Sequence, residues 1–209
     1  MGFDSLQLRD VPKESQKLGQ ILVRIKAVSL NWRDGIVTIG TYPFPEPDAV
    51  IPGSDGGAGA VKEIGKGVTE WKVDDRVLAN FTQDHIAGRL TRKIGLTQLG
   101  GEQQGLLGEF FKFPKTGVVK IPDYLSFEEA CCLPCAALTA WNALYGLTPL
   151  RPDQTVLLQG TGGVSTFALQ IAYAVGAKTI VTSSSDEKLA KAKEVGATHG
   201  INYRNSNIH

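Results

Sequence analysis

Gly160-Thr161-Gly162-Gly163-Val164-Ser165 is the stretch of this chain whose residue types and spacing could do chemistry with a phosphate. In such a loop the first glycine permits a tight turn and the second lets the backbone approach a pyrophosphate, which the amides of a following helix can hold. Ser165 stands where a third glycine usually lets helix and strand pack closely, and serine is nearly as small. The string gains specificity from its flanks. Thr155 to Gln159 is a short apolar run that predicts a buried strand. Val164, Phe167, Ala168, Ile171, Ala172 and Val175 recur at spacings of three and four, which predicts a helix that Gly176 ends. Strand, glycine turn and helix together point to dinucleotide binding through Gly160, Thr161, Gly162, Gly163 and Val164. Gly53 to Gly59 is equally glycine-rich, but a strand pattern follows it, so those glycines predict bulges or close approaches. No Gly-x4-Gly-Lys-Ser/Thr string occurs, which excludes a P-loop.

The second strand, Thr179 to Thr182, selects the cofactor. A reader of NAD places Asp or Glu at its end to accept from the ribose 2′-hydroxyl. Here the strand runs into Ser183, Ser184 and Ser185, with Lys188 one turn later. Hydroxyls bond a 2′-phosphate without repelling it and the ammonium adds attraction, so Ser183, Ser184 and Lys188 favour NADP(H) over NAD. Ser184 and Glu187 also form the pattern of a capping box, and Lys188 also suits a solvated helix face; these roles are compatible.

These residues need elements to position them. From Ser126 onward the chain reads as helices and short strands. Ser126 and Glu129 predict a capped helix start, and Pro134 predicts the opening of a second helix over 135–147. Residues 155–203 then read β-α-β-α-β, half of a doubly wound parallel sheet, with the third strand at Gly200 to Tyr203. Residues 1–125 have a different texture, rich in Gly, Pro and β-type runs. Gln20 to Leu30 alternates apolar and polar residues, and Ala58 to Ile64, Arg76 to Phe81, Leu107 to Lys112 and Val118 to Ile121 are further strand candidates. Turn signals, including Tyr42-Pro43-Phe44-Pro45, separate them. The expectation is an antiparallel, barrel-like β domain over 1–125 followed by a partial dinucleotide-binding domain over 126–209.

Composition narrows the class. The chain has 209 residues, 42% apolar and 21% charged, with a formal net charge of +1, which suits a soluble globular protein and gives no electrostatic case for nucleic acid. No apolar run is long enough for a membrane span, and the N-terminus lacks a secretory pattern. Cys131, Cys132 and Cys135 are an odd, clustered set that fits a reducing, cytoplasmic setting rather than a disulfide framework.

With the loop in place, the chain resembles the medium-chain dehydrogenase/reductase superfamily, and within it the zinc-free, quinone-oxidoreductase-like branch. The resemblance rests on Leu30-Asn31-Trp32-Arg33-Asp34, Pro52-Gly53-Ser54-Asp55, Gly67-Val68-Thr69, Asp75-Arg76-Val77, Leu133 to Trp141 and the loop itself. It implies a GroES-like β domain joined to a Rossmann domain. It also implies hydride transfer between NADP(H) and a quinone, enone or similar carbonyl substrate. Zinc-dependent members hold a catalytic metal with Cys and His. The matching positions here are Asn31, Ser54 and Cys135, and one thiolate cannot make such a site, so no metal is expected. By resemblance, Asn31 and Tyr42 line the nicotinamide and substrate pocket, Thr139 lies near the nicotinamide, and Lys188 and Tyr203 lie at the 2′-phosphate and adenine. Tyr42 reads equally well as a turn aromatic.

The chain ends just after the third strand, where the family's sheet continues with three more. The expectation is therefore a truncated member, as a fragment or a short form. It would keep the adenosine half of the cofactor site and lose the sheet edge through which relatives often form homodimers. The alternative is a catalytically weak nucleotide-binding or partner-binding module.

Overall fold

The computed structural model describes residues 2–13, 15–43 and 49–205. The chain divides into two compact units, Met1–Cys135 and Ala136–His209.

The first unit is built on a five-stranded antiparallel sheet. Its strands are β1 (Gln20–Ser29), β2 (Gly56–Ile64), β3 (Arg76–Ala79), β4 (Phe110–Pro114) and β5 (Val118–Lys120), in the order β4-β1-β2-β3-β5. This is the antiparallel β domain expected from the sequence. Strand β1 pairs on both sides, with β2 and β4, so it lies inside the sheet next to the edge strand β4. Ile21 and Val23 point into the main core with Val61, Val77, Leu106 and Phe113. A register shift falls between Leu22 and Val23, and Leu22 is buried beside them. The opposite face packs Ala58, Leu78 and Ile121 against Ala130 and Cys131. Gly59 lies tight against β1: a side chain there would put its Cβ 2.2 Å from the Arg24 carbonyl oxygen. The glycines expected to mark close approach do so.

The strand expected over 107–112 begins later, at Phe110. Residues 105–107 bond instead to 51–53: Gly105 N–H donates to Ile51 O at 2.7 Å and Leu106 N–H to Gly53 O at 2.8 Å. Among the described residues this unit also has three short α-helices. Helix α1 (Trp32–Thr38) follows β1, α2 (Arg92–Gly95) is capped by Thr91, and α3 (Phe127–Ala130) starts at Ser126 with both reciprocal bonds of the capping box formed.

Pro134 does not open a new α-helix at residue 135. It sits inside a wide π-type turn, Leu133–Ala137, which leads into α4 (Leu138–Tyr145). Such a turn tolerates the missing proline donor better than a regular helical ladder would.

The second unit is the β-α-β-α-β half-sheet expected. Strands β6 (Thr155–Gln159), β7 (Lys178–Ser183) and β8 (His199–Asn202) are parallel, in the order β6-β7-β8. Helix α5 (Gly163–Val175) ends on Gly176 in the left-handed conformation, with φ 83°. Helix α6 (Asp186–Glu194) follows β7. Ala140, Leu144, Leu158, Ala168, Leu169, Val181 and Leu189 form the core. The N-cap of α6 is Ser185, whose hydroxyl accepts the Lys188 N–H at 3.4 Å, and not Ser184 as the capping pattern predicted. The strand holds one residue longer than its apolar run, which moves the cap along by one. No helix among the described residues is long and apolar enough to cross a membrane.

Candidate functional site

Two sets of candidate residues lie one in each unit. In the first unit, β1 ends at Ser29 and α1 begins at Trp32, so Asn31 is the N-cap. Its side-chain oxygen accepts the Arg33 N–H at 3.3 Å, while its Nδ2 donates to Asp55 Oδ1 at 2.8 Å. Ser29 Oγ donates to the other Asp55 oxygen at 3.3 Å. Asp34 completes the capping box by accepting the Asn31 N–H at 2.7 Å. Its second oxygen accepts Gly53 N–H at 3.1 Å, Ser54 N–H at 3.0 Å and Ser54 Oγ–H at 2.9 Å. Asp34 and Asp55 are both buried, and these donors offset the cost of burying carboxylates. Residues 29–34 and 53–55 thus form one network that fixes the end of β1, the start of α1 and the segment entering β2.

Arg33 carries the positive charge of this cluster. Its guanidinium lies over the rings of Tyr42 and Phe81, at 4.7 and 4.8 Å from their centroids. It pairs with Glu102 at 3.4 Å, with side chains only 14% and 12% exposed. Arg33 thus links two expected site residues: its backbone N–H donates to the Asn31 side-chain oxygen, and its guanidinium stacks over half-buried Tyr42. Phe44 and Pro45 of the same turn motif fall outside the described residues.

Cys135 belongs to this network too. Burial pushes its thiol up to about 12, with a hydrogen bond to the Asp55 carboxylate acting the same way and the Arg33 charge opposing. Cys131 is also raised to about 12, first by burial and then by neighbouring Cys132. Both stay protonated at neutral pH, and Cys131 packs as a small buried residue.

In the second unit, Gly160 opens the loop with φ 81°, a conformation that favours glycine. Its N–H donates to Thr182 Oγ1 at 3.2 Å, which ties the loop to the end of β7. Gly162 is the N-cap of α5 and supplies no side-chain cap, leaving the first helical amides for an outside acceptor. Ser165, in the third-glycine place, turns its hydroxyl to Gln159 O at 3.0 Å, so it fastens helix to strand. Gly163 has the closest packing: a Cβ there would lie 3.3 Å from the Ala136 Cβ. Thr139 is exposed on the first turn of α4.

The end of β7 gathers the residues expected at the adenosine. Tyr203 N–H donates to Ser183 O at 3.1 Å, which brings β8's exit alongside. Ser183 itself is buried and its Oγ accepts the Ser185 N–H at 3.3 Å. Ser184 is half-buried, whereas Lys188 and Tyr203 are exposed. Both acidic neighbours are engaged elsewhere: Asp186 accepts from Asn202 Nδ2 at 2.8 Å, and Glu187 pairs with Lys191 at 2.8 Å.

Sequence reasoning assigned no site role to Arg33 or Asp55. Both sit inside motifs it quoted, and the spacing of Asn31 and Asp34, a capping box directly after a strand, was the available signal.

The chain matches the profile of the alcohol dehydrogenase GroES-like domain over residues 17–123, and that of the zinc-binding dehydrogenase over residues 163–209. It is 47% identical to a zinc-type alcohol dehydrogenase-like protein of Schizosaccharomyces pombe, covering 97% of this chain and 59% of that protein. Among solved structures, it resembles an NAD-dependent alcohol dehydrogenase at 32% identity and TM-score 0.86, covering 98% of this chain and 61% of the other. It also resembles the Escherichia coli quinone oxidoreductase complexed with NADPH, at 27% identity and TM-score 0.78, covering 100% and 57%. The chain therefore spans about three fifths of the length of these relatives.

Those names raise the question of zinc, and the donor set answers it. Asn31 and Ser54 carry an amide and a hydroxyl already bonded to Asp55 and Asp34, which leaves Cys135 as the one thiol at the three positions. Among the described residues no group of His, Cys, Asp and Glu could hold a metal ion. The residues at these positions do not fit zinc. With a GroES-like β domain, a glycine loop between β6 and α5, and profiles matched in both units, this chain is a member of the medium-chain dehydrogenase/reductase superfamily.

Proposed function

We propose that this protein is an NADP(H)-linked oxidoreductase acting on a quinone, enone or similar small carbonyl compound without zinc. The observation that carries the cofactor choice is the end of β7. Hydroxyl side chains and Lys188 stand there, while Asp186 and Glu187 are held by Asn202 and Lys191. A ribose 2′-phosphate would meet donors rather than a free carboxylate. Gly160 to Val164 would hold the pyrophosphate on the first amides of α5, and Tyr203 would lie against the adenine. Ser184 and Lys188 would take the 2′-phosphate directly, and Ser183, through its bond to Ser185, would shape the turn beneath it. Thr139 is assigned to the nicotinamide end, and Asn31 and Tyr42 to the substrate. The bound cofactor supplies the hydride; the protein's part is to orient and to polarise.

Support for the reaction class comes from the kinship with an oxidoreductase solved with NADPH and from a donor set unsuited to zinc. The free cysteines fit a reducing, cytoplasmic setting. The test is to mix the full chain with NADPH and with 1,4-benzoquinone or cyclohex-2-enone and follow nicotinamide absorbance. Turnover with NADPH supports the reading. Cofactor binding without turnover supports the alternative of a nucleotide-binding module. A folded chain that binds neither nicotinamide cofactor rejects both.

A further inference from the structure

Residues 84–96, between β3 and β4, leave the first unit's sheet as a loop closed at its base. Gln83 N–H donates to Thr97 O at 3.1 Å and Leu99 N–H to Phe81 O at 3.0 Å, so the outgoing and returning chains are tied together. Buried Gln83 also donates from Nε2 to Gly117 O at 3.2 Å, which fastens the base to the segment entering β5. Within the loop, His85 Nε2 lies 3.0 Å from Gly88 O, and Thr91 Oγ1 accepts the Ile94 N–H at 3.3 Å. The loop thus holds a shape of its own, and little ordering is left to be done on binding.

We propose that this loop is a docking surface for an anionic lipid bilayer. Residues 84–93 are all exposed. Ile86 and Leu90 are 78% and 57% exposed, and Leu96 at the loop's end is 50% exposed. Standing singly, such side chains need no explanation. Here they share one short loop with Arg89, Arg92 and Lys93, which make no ion pair or side-chain hydrogen bond among the described residues. Asp84 is the loop's only carboxylate, so positive charge gathers here while the whole chain carries a net charge of only +1. Other exposed apolar side chains lack that company: Tyr124 follows Asp123, and Leu147 lies among Gly146, Thr148 and Pro149.

An anionic bilayer takes this combination. Aliphatic side chains enter the acyl boundary while Lys and Arg keep their charges among the headgroups. Nucleic acid fits less well, because residues 84–96 hold no Phe, Tyr or Trp to stack on a base. An acidic protein would match the charge but gives no reason for aliphatic side chains interspersed with the cations. The loop would lie on a bilayer rather than across it, so the absence of a membrane-spanning helix among the described residues does not bear on it.

Sedimentation of the full chain with vesicles tests this, using phosphatidylcholine alone or with about 30% phosphatidylserine. Each Lys or Arg near an anionic surface strengthens binding about fivefold, so the mixed vesicles should bind about tenfold or more tightly than the neutral ones, and added salt should weaken them. Arg89→Gln/Arg92→Gln/Lys93→Gln should lose about tenfold or more on the mixed vesicles, and Ile86→Ser/Leu90→Ser about fivefold. Both variants should keep the wild-type Tm, since all five side chains are exposed. No binding to the mixed vesicles, equal binding to neutral ones, or a glutamine variant that binds like wild type overturns the proposal. A serine variant that binds like wild type also overturns it, because charge alone would then be at work, as an acidic protein partner would require. The readout depends on neither cofactor binding nor turnover, so it stands or falls apart from the oxidoreductase reading.

Discussion

Asn31 donates its side-chain N–H to Asp55 at 2.8 Å while the oxygen of the same carboxamide caps helix α1 through the Arg33 amide at 3.3 Å. One residue thus joins a helix start to a buried carboxylate, and both halves of its amide are used. Aspartate is as good an N-cap as asparagine, but here it would set a second carboxylate against Asp55. Asn31→Ala should cost about 1–3 kcal/mol of stability, from the lost cap and the lost donor. Asn31→Asp should cost more than Asn31→Ala at pH 7, in spite of its capping ability, and recover part of the difference near pH 4. Urea unfolding at the two pH values checks this; an aspartate variant as stable as wild type would show that the Asp55 contact contributes nothing.

Asp34 offers a second stability prediction. It accepts four donations, from Asn31 N, Gly53 N, Ser54 N and Ser54 Oγ, while only 6% exposed. Asp34→Asn keeps the shape but turns an NH2 toward backbone donors, so a loss of about 2–4 kcal/mol is expected. Thermal unfolding should show a clear fall in Tm, and a variant within a degree of wild type would mean that the network is not needed to hold 53–55 against α1.

The thiols give a pH dependence with a definite sign. Cys131 and Cys135 are raised from 9.0 to about 12 in the folded protein, so the folded state holds these protons more tightly than the unfolded one. Their contribution is fully present below pH 9 and is lost as pH rises toward 12. Stability should decline across that window. Replacing both residues by alanine should flatten the decline, apart from any uniform loss due to packing. At pH 7.5, iodoacetamide should label both far more slowly in the folded than in the unfolded protein. Fast labelling of the folded chain would contradict the protonated network around Asp55. Glu70 acts oppositely at the acid end. Its bond with Lys115 holds it down to about 2 from 4.5, a contribution present above pH 4.5, lost as pH falls toward 2, and screened by salt because the pair is exposed.

Metal content is a direct check on the donor set. Purified protein should contain far less than one zinc per chain, and dialysis against EDTA should leave Tm unchanged, since a structural or catalytic zinc would couple to folding. Stoichiometric zinc would contradict the account of Asn31, Ser54 and Cys135.

Much of this was legible because local rules agreed. The loop at Gly160 lay between a run of apolar residues and a helical period, and a strand and a helix formed there, but of the strand expected to be buried only Leu158 is so. The capping box at Ser126 formed as its spacing required. Legibility failed where tertiary bonds outweighed local pattern. The strand expected over 107–112 begins only at Phe110 because 105–107 are drawn to 51–53, and the cap of α6 slipped from Ser184 to Ser185 because β7 ran one residue further. Arg33 was hidden for a similar reason. Its chemistry comes from Tyr42, Phe81 and Glu102, which are distant in sequence and carry no spacing signal.

Cofactor choice is the central claim, and a titration of NADPH and NADH followed by nicotinamide fluorescence tests it most directly. A charge-assisted contact to the 2′-phosphate is worth about 1.5–3 kcal/mol, so NADPH should bind at least tenfold more tightly than NADH. Lys188→Gln should erase most of that difference by weakening NADPH alone. Equal affinity for the two cofactors, or tighter binding of NADH, would contradict the account.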